Sequence, residues 1–158
     1  MDVHRSAQFS ACGRYRYRLE RRWRDGGETV LFVGLNPSTA GEAEDDATVR
    51  RCMGFACDWG YSHLIVCNLF GYRATRPGDL FISSDPTGPN NDHALRHAIQ
   101  RADRVIVAWG NHGRFANQDR RVLGWISDPY TLRLNTGGQP AHPLYLPKRL
   151  TPIPFSPA

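Results

Sequence analysis

The sequence predicts a single α/β domain over residues 1–158, with three layers, α/β/α, around a central, mostly parallel four-stranded sheet. Three observations predict it. Near-continuous apolar runs at residues 29–35, 64–69 and 105–109 have the character of strands buried on both faces. Segments of helical periodicity separate them, so strand and helix alternate. A chain of 158 residues leaves no room for two sizeable cores.

Residues 14–23 alternate with period two and form the first expected strand. Arg14, Arg16, Arg18, Arg21, Arg22 and Arg24 lie there or just beyond, with Tyr15, Tyr17 and Trp23 between them. Two readings stay open for this stretch. It could neutralise phosphates and offer stacking faces, or it could be an edge strand with a solvated basic face. Asp25-Gly26-Gly27 is a turn. The strand at 29–35 ends at Asn36-Pro37-Ser38-Thr39. A helix over 46–58 follows, with Val49, Met53, Phe55 and Ala56 inward and Gly60 closing it. After the strand at 64–69 comes a long loop, 70–91, rich in Gly, Pro, Asp and Asn. A helix over 92–101 has Asp92 near its N-terminus, where the dipole favours it. The strand at 105–109 exits into Gly110-Asn111-His112-Gly113. A helix over 115–126, a fourth strand over 131–134 and a loop over 137–143 carrying His142 complete the order. Residues 1–10 and 151–158 are expected to be flexible ends.

Composition narrows the function. Apolar residues make up 41% and charged ones 22%, which excludes a chain disordered throughout. No apolar run approaches the roughly 20 residues that cross a bilayer. The first eight residues lack the apolar stretch of a signal peptide, so the expectation is a cytoplasmic protein without a membrane partner. The net charge of +5 suits a polyanionic partner. Cys12, Cys52, Cys57 and Cys67 contain no Cys-x-x-Cys pair, and buried free thiols are expected rather than a metal site. His93 and His97 share a helix face at a spacing that can bind metal, but no third ligand accompanies them. No metal or other cofactor is expected.

Parallel sheets place their sites at the carboxyl ends of the strands, and the polar clusters fall there. Asn36 could hold a water or a ligand edge, or could simply make an Asx-type turn. Ser38 and Thr39 could serve a phosphate through hydroxyls or backbone amides. Asp45 and Asp46 supply carboxylates for general-base work, though Asp46 also suits a helix N-cap; Arg50 and Arg51 could reach an anion at that end. Asn68 closes a buried strand, where its amide needs partners. It could pin the next loop or read a base edge, with Phe70 and Tyr72 near enough to stack or to pack in the core. Asn111 ends the third strand. His142 could stabilise negative charge, and Leu144 or Leu146 could wedge into a base stack.

The order of these clusters resembles the uracil-DNA glycosylase superfamily. Gly34-Leu35-Asn36-Pro37 is similar to its first motif, Leu64-Ile65-Val66-Cys67-Asn68 to the strand whose terminal Asn reads uracil, Val105 to Gly110 to its strand ending Trp-Gly, and His142-Pro143-Leu144 to its last motif. More locally, Gly34 to Ala40, Asp46 to Cys52 and Asn68 to Thr75 resemble DUF1643, a bacterial family of unknown function. The superfamily resemblance implies a glycosylase-like fold and hydrolysis of the N-glycosidic bond of a flipped base in nucleic acid, DNA rather than RNA, by a monomer. Asn36, Asp46 and His142 would be catalytic. Gly34, Leu35, Pro37, Ser38, Thr39, Arg50, Asn68, Phe70, Asn111 and Leu144 would bind substrate, and residues 14–24 with Lys148-Arg149 would grip phosphates. A non-catalytic nucleic-acid or nucleotide binder and a hydrolase of free modified nucleotides are the alternatives.

Overall fold

The computed structural model describes residues 2–157. In chain order the elements are β1 (His4–Phe9), β2 (Arg16–Arg22), β3 (Thr29–Gly34), α1 (Ala47–Asp58), β4 (His63–Asn68), α2 (Pro77–Ile82), α3 (Asn91–Arg101), β5 (Arg104–Val107), a 3₁₀ stretch (Asn111–Asn117), α4 (Gln118–Leu123), β6 (Pro129–Thr131) and β7 (Ile153–Pro154). Among the described residues no helix is long and apolar enough to cross a membrane.

The expected four-stranded, mostly parallel sheet is corrected to a mixed sheet of seven strands, ordered β1-β2-β4-β3-β5-β6-β7. The neighbours β4-β3, β3-β5 and β5-β6 run parallel. The outer pairs β1-β2, β2-β4 and β6-β7 are antiparallel. Both expected flexible ends are ordered over their described parts. Residues 4–9 pair along β2, and the tail pairs with β6 and is anchored by buried Phe155. β1 is only partly buried, so it carries no apolar run to announce it, and β7 is two residues long. β2 has neighbours on both sides, so it is not an edge strand.

Alternation along the strands builds two cores. Val30, Phe32, Leu64, Val66 and Ile106 face one way and meet Val49, Cys52, Phe55 and Ala56 of α1. Leu31, Val33, Ile65, Cys67, Val105 and Val107 face the other and meet Leu80, Leu95, Ala98 and Val122 of the remaining helices. Helices on both faces give the three layers. Helix α1 starts where Asp46 caps it, its carboxylate accepting from Val49 N–H at 2.8 Å, and ends before Gly60, whose φ of 87° suits glycine. Cys52, rather than Met53, belongs fully to its buried face. The expected helix over 115–126 is broken: Phe115 and Ala116 leave helical geometry, so the segment splits into the 3₁₀ stretch and α4. The long loop contains α2. The fourth strand lies at 129–131, and Leu134 forms only a bridge to Pro140.

Arg21 ties the sheet to the loop before α1. Its side chain is fully buried on β2. Nε donates to Asp45 at 2.8 Å, Nη1 to the carbonyl of Glu20 at 2.8 Å, and Nη2 to the carbonyls of Gly41 at 2.9 Å and Glu44 at 3.2 Å. Arg5 of β1 takes the other Asp45 oxygen at 2.8 Å. On the opposite face Glu20 accepts from Arg101 and from His63 and pairs with Arg18 at 2.7 Å. Burial alone would raise the Glu20 pKa. The hydrogen bonds from His63 and Arg101 and the charges of Arg18 and Arg101 outweigh it and hold the carboxyl at about 2.

Two predictions follow the charges. Arg21→Met removes one partner of a buried pair and should cost about 3 kcal/mol of unfolding free energy in urea. Arg21→Lys should not restore it, because an ammonium cannot span the same acceptors; a neutral Arg21→Met would remove the role given to this side chain. Glu20 has a folded pKa below its unfolded value, so its contribution is complete above about 4.5 and is lost as pH falls through about 2. Glu20→Gln should therefore destabilise strongly at pH 7 and progressively less toward pH 2, as read by urea midpoints across that range.

Candidate functional site

The parallel strands end at a cleft of about 340 Å³, a size suited to a small ligand. Five chain segments converge on it. The β3 exit brings Gly34, Leu35, Asn36, Pro37 and Ser38; the start of α1 brings Asp46; β4 brings Asn68; the β5 exit brings Asn111; and the late loop brings His142. Thus Asn36, Asp46 and His142 share one wall-to-wall space with Asn68. Thr39, Arg50, Phe70 and Leu144 do not line it. Phe70 is buried against Phe115 in the second core. Thr39 is exposed on the loop. Arg50 and Leu144 line a neighbouring groove with Arg51, Tyr145 and Lys148.

Backbone pairing fixes this convergence. Leu69 N–H donates to the Gly34 carbonyl at 2.9 Å, and Phe70 N–H to the Leu35 carbonyl at 3.0 Å, so the chains leaving β3 and β4 run side by side. Asn91, fully buried at the start of α3, donates from Nδ2 to the carbonyls of Asn68 and Leu69 at 2.9 and 3.1 Å. Gln118 adds a hydrogen bond to the Leu69 carbonyl at 3.2 Å. Gly34 sits beside Asn68 in register, and a Cβ there would stand 2.7 Å from Asn68 Oδ1. The missing side chain is what lets the Asn68 amide lie over the strand end. Gly110, with φ of 73°, turns the chain out of β5, and its N–H reaches the Pro140 carbonyl at 2.8 Å, drawing in the loop that carries His142.

Each polar side chain has a distinct state. Asn36 donates through Nδ2 to the carbonyls of Pro37 at 3.1 Å and Ala74 at 2.7 Å. The Asx-type turn is not what forms, because the amide donates to carbonyls instead of accepting a backbone N–H two residues on; the same bonds bring Ala74 and Thr75 of the long loop into the cleft lining. Asn68 is 4% exposed, and its side-chain amide makes no hydrogen bond among the described residues. Asp45 is consumed by Arg5 and Arg21: burial would raise its pKa, but those two hydrogen bonds hold it below the usual value. Asp46 is therefore the carboxylate left to the cleft, though one of its oxygens caps α1. Asn111 accepts from Asn135 at 3.0 Å. His142 keeps an exposed edge, yet the surrounding protein lowers its pKa by desolvation while Asp46 pulls it up. Its Nδ1 accepts from Leu144 N–H at 3.2 Å, which leaves Nε2–H as the donor of the neutral ring.

Arg16 is the cleft residue that sequence alternation hides. Leu19 and Arg21 face α1 and its loop, so strict period two would turn Arg16 to the other side. A bulge intervenes: Gln8 pairs with Arg18 and Phe9 with Arg16, leaving Tyr17 as an extra residue. Arg16 is thereby brought to the cleft. Cys52 also lines it, but burial drives its thiol pKa far upward, so it is inert. Cys67 is buried as expected, whereas Cys12 and Cys57 are exposed. His93 and His97 lie on the exposed face of α3.

The Asp46–His142 coupling gives a direct check. An NMR pH titration should place His142 below the 6.5 of a free imidazole. Asp46→Asn keeps a capping oxygen but removes the charge that favours the imidazolium, so the midpoint should fall further. A midpoint that stays put or rises in the variant would show that the two groups do not sense each other.

No curated protein and no solved structure shows a significant match to the chain. Residues 16–144 match the family described as Protein of unknown function (DUF1643). That stretch runs from Arg16 to Leu144 and contains every residue of the cleft described above. The chain belongs to the DUF1643 family.

Proposed function

We propose that this protein is a glycosylase-type hydrolase that takes a damaged or modified base, flipped out of DNA, into the cleft and hydrolyses its N-glycosidic bond. One observation carries the reading: Asn36, Asp46, Asn68 and His142, from separate parts of the chain, line a single cleft at the strand ends. The order of the motifs, similar to that of uracil-DNA glycosylases, supports it.

The roles follow from the chemistry of each group. The unpartnered Asn68 amide offers a donor and an acceptor to a base edge. Asp46 orients a water and receives its proton as the water oxygen bonds to the sugar carbon. The C–N bond breaks, its electron pair leaves with the base, and His142 donates Nε2–H to the charge developing there. A neutral histidine suits this task, and the lowered pKa keeps it neutral at physiological pH. Asn36 holds Ala74 and the long loop against the cleft and presents its amide oxygen beside the water. DNA would be gripped by the neighbouring groove, where Arg50, Arg51 and Lys148 surround Tyr145. Tyr145 is 90% exposed and held at φ of 69°, which suits a base-stacking side chain better than the half-buried Leu144. The protein would work as a monomer.

The test uses single- and double-stranded oligonucleotides carrying uracil, hypoxanthine and other altered bases, followed by alkali. Strand scission at the altered base is expected, with Asp46→Asn slower by about 10²–10⁴-fold. Absence of scission with every substrate ends the glycosylase reading. Salt-sensitive oligonucleotide binding in that case would leave a nucleic-acid-binding protein without the chemistry.

A further inference from the structure

We infer that Arg16 is a phosphate-binding group built into the cleft. Its side chain is 3% exposed and lines the cleft. Nη1 donates to the Ala40 carbonyl at 3.2 Å, while the buried Nε has no hydrogen-bond partner among the described residues. No carboxylate among the described residues lies within ion-pair distance of it.

The contrast with other arginines of the same strand is sharp. Arg21, equally buried, has Asp45 and a set of carbonyls; Arg18 has Glu20. A buried charged donor left bare is costly, and Arg16 is kept so by a bulge that turns it toward an open space. Burial lowers its pKa, with Asp46 opposing, to about 10, so it remains cationic at neutral pH. Nε is enclosed behind the cleft wall, so the Nη donors of the planar guanidinium are the ones a phosphate oxygen in the cleft can meet, with the Nε–H beside them sensing the bound charge. The first turn of α1 contributes Thr48 and Val49 to the same lining, at the helix end that favours negative charge. Asp46 is the opposing carboxylate in this wall, and its Oδ1 is engaged by Val49 N–H.

The phosphate site stands on Arg16 alone; only the identity of its carrier rests on the proposed nucleic-acid reading. A phosphate in this cleft can belong to a free nucleotide or to a strand. Nitrogen-15 NMR of the Arg16 Nε–H, assigned through its loss in Arg16→Lys, can follow inorganic phosphate, a nucleoside 5′-monophosphate, the matching nucleoside and a short oligonucleotide. The resonance should shift with inorganic phosphate and with the nucleotide. By calorimetry the nucleotide should bind about tenfold more tightly than the nucleoside, and Arg16→Met should abolish that margin. Should Arg16→Met fail to fold, the wild-type resonance decides. A resonance unmoved by phosphate and nucleotide, or a nucleoside bound as tightly as its monophosphate, overturns the inference. A mononucleotide preferred over the oligonucleotide identifies the free carrier, and the reverse identifies the strand; both support the site. Strand scission is scored separately, so a phosphate site can survive failure of the glycosylase reading.

Discussion

The buried guanidinium of Arg21 is the constraint on which the cleft depends. It joins β2 to the loop at Gly41, Glu44 and Asp45, and that loop delivers Asp46 to the first turn of α1. A charge without access to water must have its donors satisfied, so the loop carbonyls have little freedom to turn elsewhere. Helix α1 then lies over Phe32, Val66 and Ile106 with its capped end beside the strand exits. One wall of the cleft is therefore positioned by a hydrogen-bonded charge, and the apolar contacts beneath it hold the helix in place.

The other walls are set by backbone groups. Asn91 and Gln118 take the carbonyls that β4 presents as it ends, which leaves the Asn68 side chain without a structural duty. Asn36 has the opposite fate, since its donor atoms bind the long loop. Two asparagines at neighbouring strand exits thus divide the work: one closes the cleft and the other faces its contents. Gly34, between them, is small because the Asn68 amide occupies the place its Cβ would take.

The central strands, α1 and α3 were legible because long apolar or amphipathic runs record burial directly. Asp46 as a cap, Gly60 as a stop and the exit asparagines as cleft residues were legible from local chemistry. β1 and β7 were not: a half-exposed strand has no apolar face to read, and a two-residue strand exists only because Phe155 is buried. The break at Phe115 and Ala116 interrupts a pattern that still looks helical from its residue types. Arg16 was visible as a charge and invisible as a cleft residue, because a single extra residue in β2 reverses the face on which everything before it falls. Asn91 and Gln118, which pin the site, look like ordinary helix-start residues until their tertiary acceptors are known.

The arginines between 14 and 24 show why net charge locates a partner poorly. Arg21 neutralises Asp45, Arg18 serves Glu20, and Arg24 caps a carbonyl at Gly60 at 3.0 Å. Those three charges are engaged inside the fold or along its surface contacts, which interrupts the basic track that the sequence suggests. At the strand exits the cationic groups beside open space are instead Arg16 within the cleft and Arg50, Arg51 and Lys148 in the adjoining groove. They lie along α1 and the late loop, on the side where the strands end. An anionic ligand would therefore be drawn to the carboxyl edge of the sheet by a few placed charges, and the excess of +5 matters less than which guanidinium has been left without a carboxylate.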